Sequence, residues 1–323
     1  MKKLEEITQL TRDDVREFND ALISRVRSDD EKLNKILDFV FDKKGKQVRA
    51  HLVFLSSRLF GKVTAKTQLA AILVQLLHTS TLMHDDVVDD AVIRRGKSTV
   101  NAKWKNKTAV LVGDYLFSKA LSLATEDDAF DLLHVLAPAV SQMSVGEIIQ
   151  MEEAGNKKYS EAVYYNIIYR KTAVLISASM VAGAICGGAD KSSQEAMKTV
   201  GQEAGMAFQI QDDILDITAD GMFGKAKGKD LQEKKYTMPL IHALDEAPDK
   251  EAKAIMDIVG NGVNKKQTRE VIDFIHQYKG IDYAKEKMHE RIQTAFGVLS
   301  ELPQNHVNDA IKDLIVYFTR RKK

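Results

Sequence analysis

Cysteine and proline are scarce in this sequence. Among 323 residues there is one cysteine, Cys186, which excludes an internal disulfide and a thiolate cluster for a metal ion. We therefore expect a reducing compartment. There are four prolines, and no stretch rich in serine, glycine and proline separates one patterned region from the next. The sequence accordingly predicts one continuous domain spanning residues 1–323.

A strong excess of charge is also lacking. The sequence has 47 basic and 46 acidic side chains, with a formal net charge of +1. No global field attracts nucleic acid, and we expect no nucleic-acid partner. Any affinity for anions must come from local groups of basic residues. The hydrophobic content of 44% is that of an ordinary globular protein.

The sequence shows no apolar core of a secretory signal, because Met1–Glu6 turns acidic at once. We expect residence in the cytoplasm. An uncharged run, Thr172–Ala189, approaches the length of a membrane span, but small residues crowd it and a basic pair precedes it. This run is predicted to be a buried central helix, so no transmembrane segment is expected.

Helical periodicity continues through the whole sequence. Apolar residues recur at three and four positions, and no convincing strand alternation occurs. We predict an all-α fold, a large bundle with an elongated interior. The long helices are predicted over Leu4–Arg27, Glu31–Asp42, Val48–Leu59, Ala65–Asp90, Thr108–Thr125, Phe130–Glu153, Glu161–Ile185 and Gln194–Thr218. Ser192 and Glu195 predict a capping box for the last of them.

Two clusters of three aspartates share the spacing i, i+1, i+4: Asp85, Asp86 and Asp89 in the first, and Asp212, Asp213 and Asp216 in the second. On a helix, the first and third carboxylates lie on one face and the second lies about 100° away. Three carboxylates this close repel one another unless cations neutralise them. Mg²⁺ suits them, because it prefers oxygen ligands and commonly bridges carboxylates to a substrate phosphate.

Either cluster alone is also compatible with a solvated acidic helix end. Each cluster, however, follows a strongly apolar stretch, Leu69–Val74 in the first case and Ala207–Ile210 in the second. An acidic group at the mouth of an apolar channel suits a substrate with a charged head and a hydrocarbon tail. We expect the clusters to face each other and to hold one diphosphate group between metal ions.

Basic residues lie in compact groups near these clusters. Lys46 and Arg49 follow Gly45 at the start of a helix, where backbone N–H groups and the helix dipole also favour an anion. Arg94 and Arg95 follow the first cluster closely enough for bidentate contacts with phosphate. Each group is also compatible with an ordinary surface pair.

Other candidates are single residues. His78 lies two turns before Asp85 on the same helix face, and Lys171 interrupts an otherwise apolar helix. Lys225 and Lys235 lie beyond the second cluster, in a glycine-containing segment that can fold over a bound phosphate. A satisfied core histidine and solvated lysines are the alternatives for these residues.

In this order, the motifs resemble the trans-polyprenyl diphosphate synthase family, and the resemblance covers nearly the whole chain. Leu77–Asp89 resembles the first aspartate-rich motif of the family, Arg94–Gly96 its arginine pair, and Phe208–Asp216 the second aspartate-rich motif. Gly45–Arg49 resembles its isopentenyl diphosphate site. The mid-chain Lys-Thr pair and the closing loop of the family are matched by Lys171, Thr172, Lys225, Asp230 and Lys235.

The resemblance implies an isoprenoid-synthase-like bundle around a central apolar cavity. It also implies a Mg²⁺-dependent homodimer that joins isopentenyl diphosphate to an allylic diphosphate. All six aspartates would bind Mg²⁺, with Asp85, Asp89 and Asp212 as the direct ligands. The allylic diphosphate would be neutralised by Arg94, Lys171, Lys225 and Lys235. Isopentenyl diphosphate would be held by Lys46, Arg49, His78 and Arg95. Thr172 and Gln209 would stabilise the allylic cation, while Glu147 and Gln150 occupy a variable family position.

Product length is expected to depend on the channel below the first cluster. Ser80 and Thr81 are small where short-chain members of the family carry aromatic residues, so we predict a long product resembling those of the octaprenyl and heptaprenyl synthases. The alternatives are a farnesyl or geranylgeranyl synthase, a terpene cyclase, an HD-type phosphohydrolase built on His84 and Asp85, and an inert regulatory subunit. The basic tail Thr319–Lys323 suggests either peripheral membrane contact or a solvated end.

Overall fold

The computed structural model describes residues 4–42, 45–94, 96–154, 156, 159–218 and 228–319. The first eight helices are α1 (Leu4–Ile7), α2 (Arg12–Val26), α3 (Glu31–Phe41), α4 (Val48–Phe60), α5 (Ala65–Val88), α6 (Val100–Trp104), α7 (Asn106–Glu126) and α8 (Phe130–Glu153). The others are α9 (Glu161–Ile168), α10 (Val174–Cys186), α11 (Lys191–Thr218), α12 (Lys229–Gln232), α13 (Met238–Glu246), α14 (Asp249–Gly260), α15 (Lys265–Gln277), α16 (Gly280–Ser300) and α17 (His306–Thr319). The all-α prediction is confirmed.

The helix predicted over Leu4–Arg27 is interrupted, because α1 is followed by a 3₁₀ turn before α2 begins. In this turn the hydroxyl of Thr8 donates to the carbonyl of Leu4 at 2.7 Å, and the hydroxyl of Thr11 lies 2.7 Å from Nδ1 of His51. Threonine side chains that bond locally compete with the helical ladder. The spacing of apolar residues, on which the prediction was based, does not reveal this competition.

A π-helical turn, Tyr169–Ala173, joins α9 to α10 within the segment predicted as one regular helix. A π turn widens the helix locally and is frequent at functional sites. Here it carries Lys171 and Thr172, two of the predicted site residues.

The capping box predicted from Ser192 and Glu195 is wrong. Helix α11 begins three residues earlier than predicted, so Asp190 takes the capping position and accepts a 2.8 Å hydrogen bond from the backbone N–H of Ser193. Capping residues act only at the boundary itself, and a helix boundary is the feature that periodicity locates least well.

A short antiparallel hairpin follows α5, although the sequence showed no strand pattern. Strands β1 (Ile93–Arg94) and β2 (Lys97–Ser98) pair across a turn that contains Gly96, whose φ is +74°. Glycine adopts this left-handed conformation at low cost. The hairpin carries Arg94 back toward the end of α5.

Helix α10 lies at the centre of the molecule, where α4, α5, α8 and α11 surround it. Every residue from Val174 to Ala184 is buried. One face of the helix packs into one core cluster through Ile176, Met180 and Ala184, and another face packs into a second cluster through Val174, Ala178 and Ala182. The prediction of a buried central helix is confirmed. Small residues allow the close packing, because a Cβ at Gly183 would lie 2.2 Å from the carbonyl oxygen of Val53.

Two helical stretches in the described ranges are long and apolar enough to cross a membrane, judged by length and composition alone. In Glu161–Cys186, 72% of the most apolar window is buried, as in the core helix of a globular protein. In Phe130–Glu153 only 28% is buried. Helix α8 therefore leaves part of its apolar surface uncovered.

Candidate active site

The first aspartate cluster lies at the end of α5. Asp85 and Asp86 occupy the last turn of the helix, and Asp89 follows as its C-cap. Asp86 is 2% exposed and accepts a 2.6 Å hydrogen bond from Nε of Arg94 in β1. Asn101 donates to the backbone carbonyl of Asp86 at 3.1 Å. The middle carboxylate of the cluster is therefore held inside the protein, while Asp85 is partly buried and Asp89 is exposed.

Asp85 lies in an acidic environment. Burial, and next the nearby carboxylate of Glu147, raise the pKa of Asp85 to about 6, although Lys171 and Arg94 oppose the shift. A carboxylate whose ionised form is disfavoured in this way gains free energy when a cation is placed beside it. The first cluster is thus suited to bind a metal ion.

The second cluster lies near the end of α11, where Asp213 is buried. Its two carboxylate oxygens accept hydrogen bonds from the hydroxyl of Tyr164 at 2.7 Å and from the side-chain amide of Gln209 at 2.9 Å. Burial, and next the charge of Asp230, raise the pKa of Asp213 well above its ordinary value. Asp212 on the same turn is partly buried.

Helix α12 connects the two clusters. The carboxylate of Asp216 accepts hydrogen bonds from the backbone N–H groups of Lys229 at 3.2 Å and of Asp230 at 3.1 Å, the first two residues of this helix. Against the larger opposite effect of burial, the positive charge of Lys229 lowers the pKa of Asp86. The negative charge of Asp89 likewise contributes to the raised pKa of Lys235, which follows the helix. The two clusters therefore border the same space.

The donor set around this space fits Mg²⁺. In the part of the chain that the structure describes, no three acidic, histidine or cysteine side chains converge into a complete metal site. Mg²⁺ is usually bound through one or two carboxylates and completes its octahedron with water and substrate phosphates. Asp85, Asp89 and Asp212 would hold the ion together with a diphosphate. The carboxylates of Asp86, Asp213 and Asp216 are engaged with protein donors.

The π turn places two predicted residues at the second cluster. Lys171 forms a 2.5 Å ion pair with Glu147 of α8. The hydroxyl of Thr172 donates to Oε1 of Gln209 at 2.8 Å, and the amide of Gln209 donates in turn to Asp213. Lys171, Thr172, Gln209 and Lys235 all line one cavity of about 190 Å³, which Gln150 also lines.

Four of the predicted basic residues line a second cavity of about 480 Å³: Lys46, Arg49, His78 and Arg94. Nη1 of Arg49 lies 3.1 Å from Nε2 of His78, which must accept because a guanidinium only donates. Before α4, the side-chain amides of Asn19 and Gln47 exchange hydrogen bonds of 2.6 and 3.2 Å. This pair fixes the turn that presents Lys46 and the start of α4 to the cavity.

A third cavity, of about 340 Å³, runs between α5, α7 and α8. Its lining is mostly apolar and includes Leu73 and Leu77 of α5, with Leu136 of α8. Ser80 and Thr81 line the same cavity, nearer to the first cluster along α5. Small side chains therefore occupy the part of the α5 wall between these leucines and His84, which lines the cavity beside the first cluster together with Asp114 of α7.

The structure also adds residues that the sequence did not indicate. Tyr164 lies seven residues before Lys171, a spacing that in a regular helix would place both on one face, and that spacing was an available signal. Asn101 reaches Asp86 only because the chain turns back after the hairpin, so no local pattern pointed to it. Two predicted residues, Arg95 and Lys225, lie outside the described residues.

Comparison with known proteins decides the family. The model of the Polyprenyl synthetase family matches residues 30–276. This chain belongs to the polyprenyl synthetase family. The octaprenyl diphosphate synthase of Haemophilus influenzae is 31% identical over 315 residues, 97% of this chain and 96% of that protein. The geranylgeranyl diphosphate synthase of Sulfolobus acidocaldarius is 32% identical over 320 residues, 96% of this chain and 97% of that protein.

Solved structures give the same result. The crystal structure of a polyprenyl synthase from Caulobacter crescentus, complexed with calcium and isoprenyl diphosphate, has a TM-score of 0.92 and 30% identity. It covers 99% of this chain and 98% of that one. The polyprenyl synthetase described here is therefore a prenyltransferase, a trans-prenyl diphosphate synthase, and the predicted family and enzyme class are confirmed. The phosphohydrolase and inert-subunit alternatives are set aside.

Proposed function

We propose that this synthase condenses isopentenyl diphosphate with an allylic diphosphate to give a long-chain all-trans polyprenyl diphosphate in the octaprenyl range. The observation that carries the chain-length proposal is the position of Ser80 and Thr81 in the wall of the third cavity. A hydrocarbon chain that grows from the first cluster along α5 meets no bulky side chain at these two positions. It can therefore extend toward Leu73 and Leu136.

The two diphosphates would occupy different places. The allylic diphosphate would lie between the aspartate clusters, beside Lys171 and Lys235. Isopentenyl diphosphate would lie in the second cavity, where Lys46, Arg49 and His78 converge. Arg94 reaches the boundary between these places, because it bonds Asp86 and also lines the second cavity.

The chemistry needs charge stabilisation rather than a catalytic dyad. When the allylic C–O bond breaks, its electron pair leaves with the diphosphate, and the alkene of isopentenyl diphosphate forms the new C–C bond with the cation. The departing diphosphate is the base that removes the final proton. Lys171 and Lys235 would stabilise the negative charge that develops, and the oxygens of Thr172 and Gln209 would stabilise the cation.

Mg²⁺ is the metal we assign to the clusters. When bound, it would neutralise the diphosphate and make it a better leaving group. The carboxylate donors support this assignment, because oxygen ligands suit Mg²⁺. The calcium in the Caulobacter crescentus polyprenyl synthase is in keeping with a divalent ion in this family.

We infer a homodimer from the surface formed by α7 and α8. Several large apolar side chains are exposed there, among them Leu111 and Phe117 of α7 and Ile148 and Met151 of α8. An apolar face of this kind on a globular protein usually marks an interface. A second copy of the chain, packed symmetrically, would cover it.

Cytoplasmic residence and a peripheral membrane contact during product release complete the proposal. The product is a long hydrocarbon with one charged end, so a membrane is its natural acceptor. The basic tail would favour an anionic surface. Within it, Thr319 is buried at the end of α17, and the four residues that follow lie outside the described residues.

The proposal is tested by incubating the purified full chain with farnesyl diphosphate, labelled isopentenyl diphosphate and Mg²⁺, and separating the products by chromatography. We expect a ladder that ends near the octaprenyl product. A ladder that stops at farnesyl or geranylgeranyl diphosphate would contradict the chain-length proposal. Chelation of divalent ions should abolish the ladder, and full activity in chelator would contradict the metal assignment.

Ser80→Phe should shorten the product by several isoprene units. Ser80 is buried in the wall of the third cavity, and the aromatic ring would block this cavity near the first aspartate cluster. The matched control is Ser300→Phe, the same change at an exposed position at the end of α16. Chromatography should show a shorter ladder for the first variant and the wild-type ladder for the second. An unchanged ladder for Ser80→Phe would mean that the growing chain does not pass this position.

A further inference from the structure

His84 makes contacts that the roles of the aspartates do not explain. It precedes Asp85 in the last turn of α5, and its Nε2 lies 3.2 Å from Oδ1 of Asp114 and 3.3 Å from the carbonyl oxygen of Val110. Both of these acceptors belong to α7. A carboxylate and a carbonyl only accept hydrogen bonds, so Nε2 carries a hydrogen and donates it toward α7.

Helix α7 provides space for the histidine ring at Gly113. A Cβ added to this glycine would lie 2.4 Å from Nε2 and 2.7 Å from Cδ2 of His84. Distances this short are not tolerated, so a larger residue would displace the ring. The backbone of Gly113 is ordinary helix, and its φ is not positive. The backbone conformation therefore does not require glycine, and the missing side chain leaves the space that the His84 ring occupies.

The position of this contact on α5 is important. The last turn of a helix has carbonyl groups without intrahelical partners, and helix ends open locally more easily than helix centres. The first cluster lies in this turn of α5. Arg94 and Asn101 hold Asp86 from the side of the hairpin and α6. His84 holds the same turn from the side of α7.

We propose that His84 is a positioning residue for the first aspartate cluster, and that Val110, Gly113 and Asp114 form its socket. The socket holds the last turn of α5 against α7 and so fixes the direction of the Asp85 carboxylate. His84 acts through Asp85 and does not contact the diphosphate. This inference rests on the proposed assignment of the first cluster as the site of Mg²⁺ and the allylic diphosphate.

The test compares two substitutions of the histidine in the full-length protein. His84→Leu removes the donor, whereas His84→Gln can place an amide N–H close to the position of Nε2. Because residues that orient metal ligands typically change metal affinity or activity by 10- to 100-fold, we expect His84→Leu to raise the Mg²⁺ concentration for half-maximal activity by about tenfold and to lower kcat similarly. The KM for isopentenyl diphosphate, which binds in the second cavity, should change less than about twofold. His84→Gln should restore most of the loss.

Gly113→Ala gives an independent test, because it displaces the ring without removing a polar group. It should reproduce the higher Mg²⁺ requirement of His84→Leu. Two controls carry the same chemical changes elsewhere: His276→Leu at an exposed position of α15, and Gly297→Ala in α16, where nothing lies within 4 Å of the added Cβ. Both should behave as the wild type.

Calorimetric titration of each variant with inorganic diphosphate in the presence of Mg²⁺ provides a readout that needs no turnover. We expect Kd to rise by about tenfold for His84→Leu and Gly113→Ala. Wild-type Kd and Mg²⁺ requirement in both variants, with activity reduced only in proportion to lost folded protein, would overturn the proposal. Tight diphosphate binding by a wild-type protein that forms no prenyl product would count against the proposed product and not against the socket.

Discussion

The three aspartates of each cluster differ in their surroundings. Asp86 and Asp213, the second residue of each triplet, are buried and held by hydrogen-bond donors. Asp86 accepts from Arg94 of β1, and Asp213 accepts from Tyr164 of α9 and from Gln209 one turn earlier in its own helix. The helical spacing explains this division, because the second carboxylate points about 100° away from the first. One residue of each triplet therefore connects the cluster to the core, and its neighbours border the shared space.

Asp85→Asn should stabilise the metal-free protein while lowering its activity by about 100- to 1000-fold, as expected when a group that stabilises the transition state is lost. The pKa of Asp85 is raised to about 6, so the folded state binds the proton more tightly than the unfolded state. The free energy of unfolding therefore falls as pH rises from about 4 to about 6, by up to about 3 kcal/mol. Asparagine does not ionise and avoids this loss.

Thermal unfolding in a chelator checks the prediction. At pH 7.5 the variant should melt a few degrees above the wild type, and the difference should disappear near pH 4, where the wild-type carboxyl is protonated. Asp273→Asn, at an exposed position of α15, is the matched control and should show no such difference. A lower Tm for Asp85→Asn at pH 7.5 would contradict the assigned cause.

Tyr164→Phe should destabilise the protein by about 1–3 kcal/mol, because it leaves one oxygen of the buried Asp213 without its hydroxyl donor. Activity should also fall, since Asp213 holds Gln209 and thereby Thr172. Denaturant unfolding gives the first quantity and steady-state kinetics the second. Tyr165→Phe, one residue later and only partly buried, should have the smaller effect on both. Equal effects of the two substitutions would refute a specific role for Tyr164.

At the scale of elements, small residues determine how closely the central helix approaches its neighbours. A Cβ at Gly201 of α11 would lie 2.4 Å from Cα of Ser177 in α10, and one at Gly205 would lie 2.5 Å from Cα of Ala173. These contacts bring the second cluster on α11 close to the π turn. The distance from Thr172 to Gln209 thus depends on glycine packing one to two turns away.

Gly183→Ala should lower the free energy of unfolding by about 1–3 kcal/mol, because the added methyl group would meet the backbone of α4 at 2.2 Å and the helices would have to separate. The matched control is Gly297→Ala, where the same methyl group meets nothing within 4 Å. There we expect a small gain, because alanine favours the helix. Chemical denaturation of both variants measures the difference, and a loss of equal size in both would contradict the packing argument.

At the scale of the whole molecule, the third cavity and the uncovered apolar face lie side by side. Phe117 and Leu121 of α7 line the cavity and are each 38% exposed. The wall that α7 and α8 contribute to the third cavity is therefore also part of the surface that a second copy of the chain would cover. Dimerisation would shield this wall from water as well as the apolar face.

Replacing Ile148 and Met151 together by glutamate should convert the protein to a monomer, because two charges would be placed in an apolar contact. Sedimentation equilibrium should show half the molar mass of the wild type. Lys253→Glu, an exposed charge reversal on α14, should leave the dimer intact. A wild-type protein that sediments as a monomer would remove the basis of the proposed homodimer.

The sequence by itself determined most of the long helices, the two aspartate clusters and the basic groups near them. Each of these features is local, because helical periodicity and a one-turn cluster of charge are complete within a few residues of each other. The long helix Phe130–Glu153 was predicted with its observed boundaries for this reason. The family resemblance added roles to positions whose chemistry was already visible.

Only the tertiary structure decided which partners these residues have. Arg94 donates a hydrogen bond to Asp86, Tyr164 donates one to Asp213, and His84 contacts α7. In each case the two partners are at least eight residues apart in the sequence. The π turn and the cap at Asp190 likewise depend on how neighbouring segments end and pack. Such contacts arise when distant parts of the chain share one core, and the free energy that selects them comes from burial, which no short stretch of sequence contains.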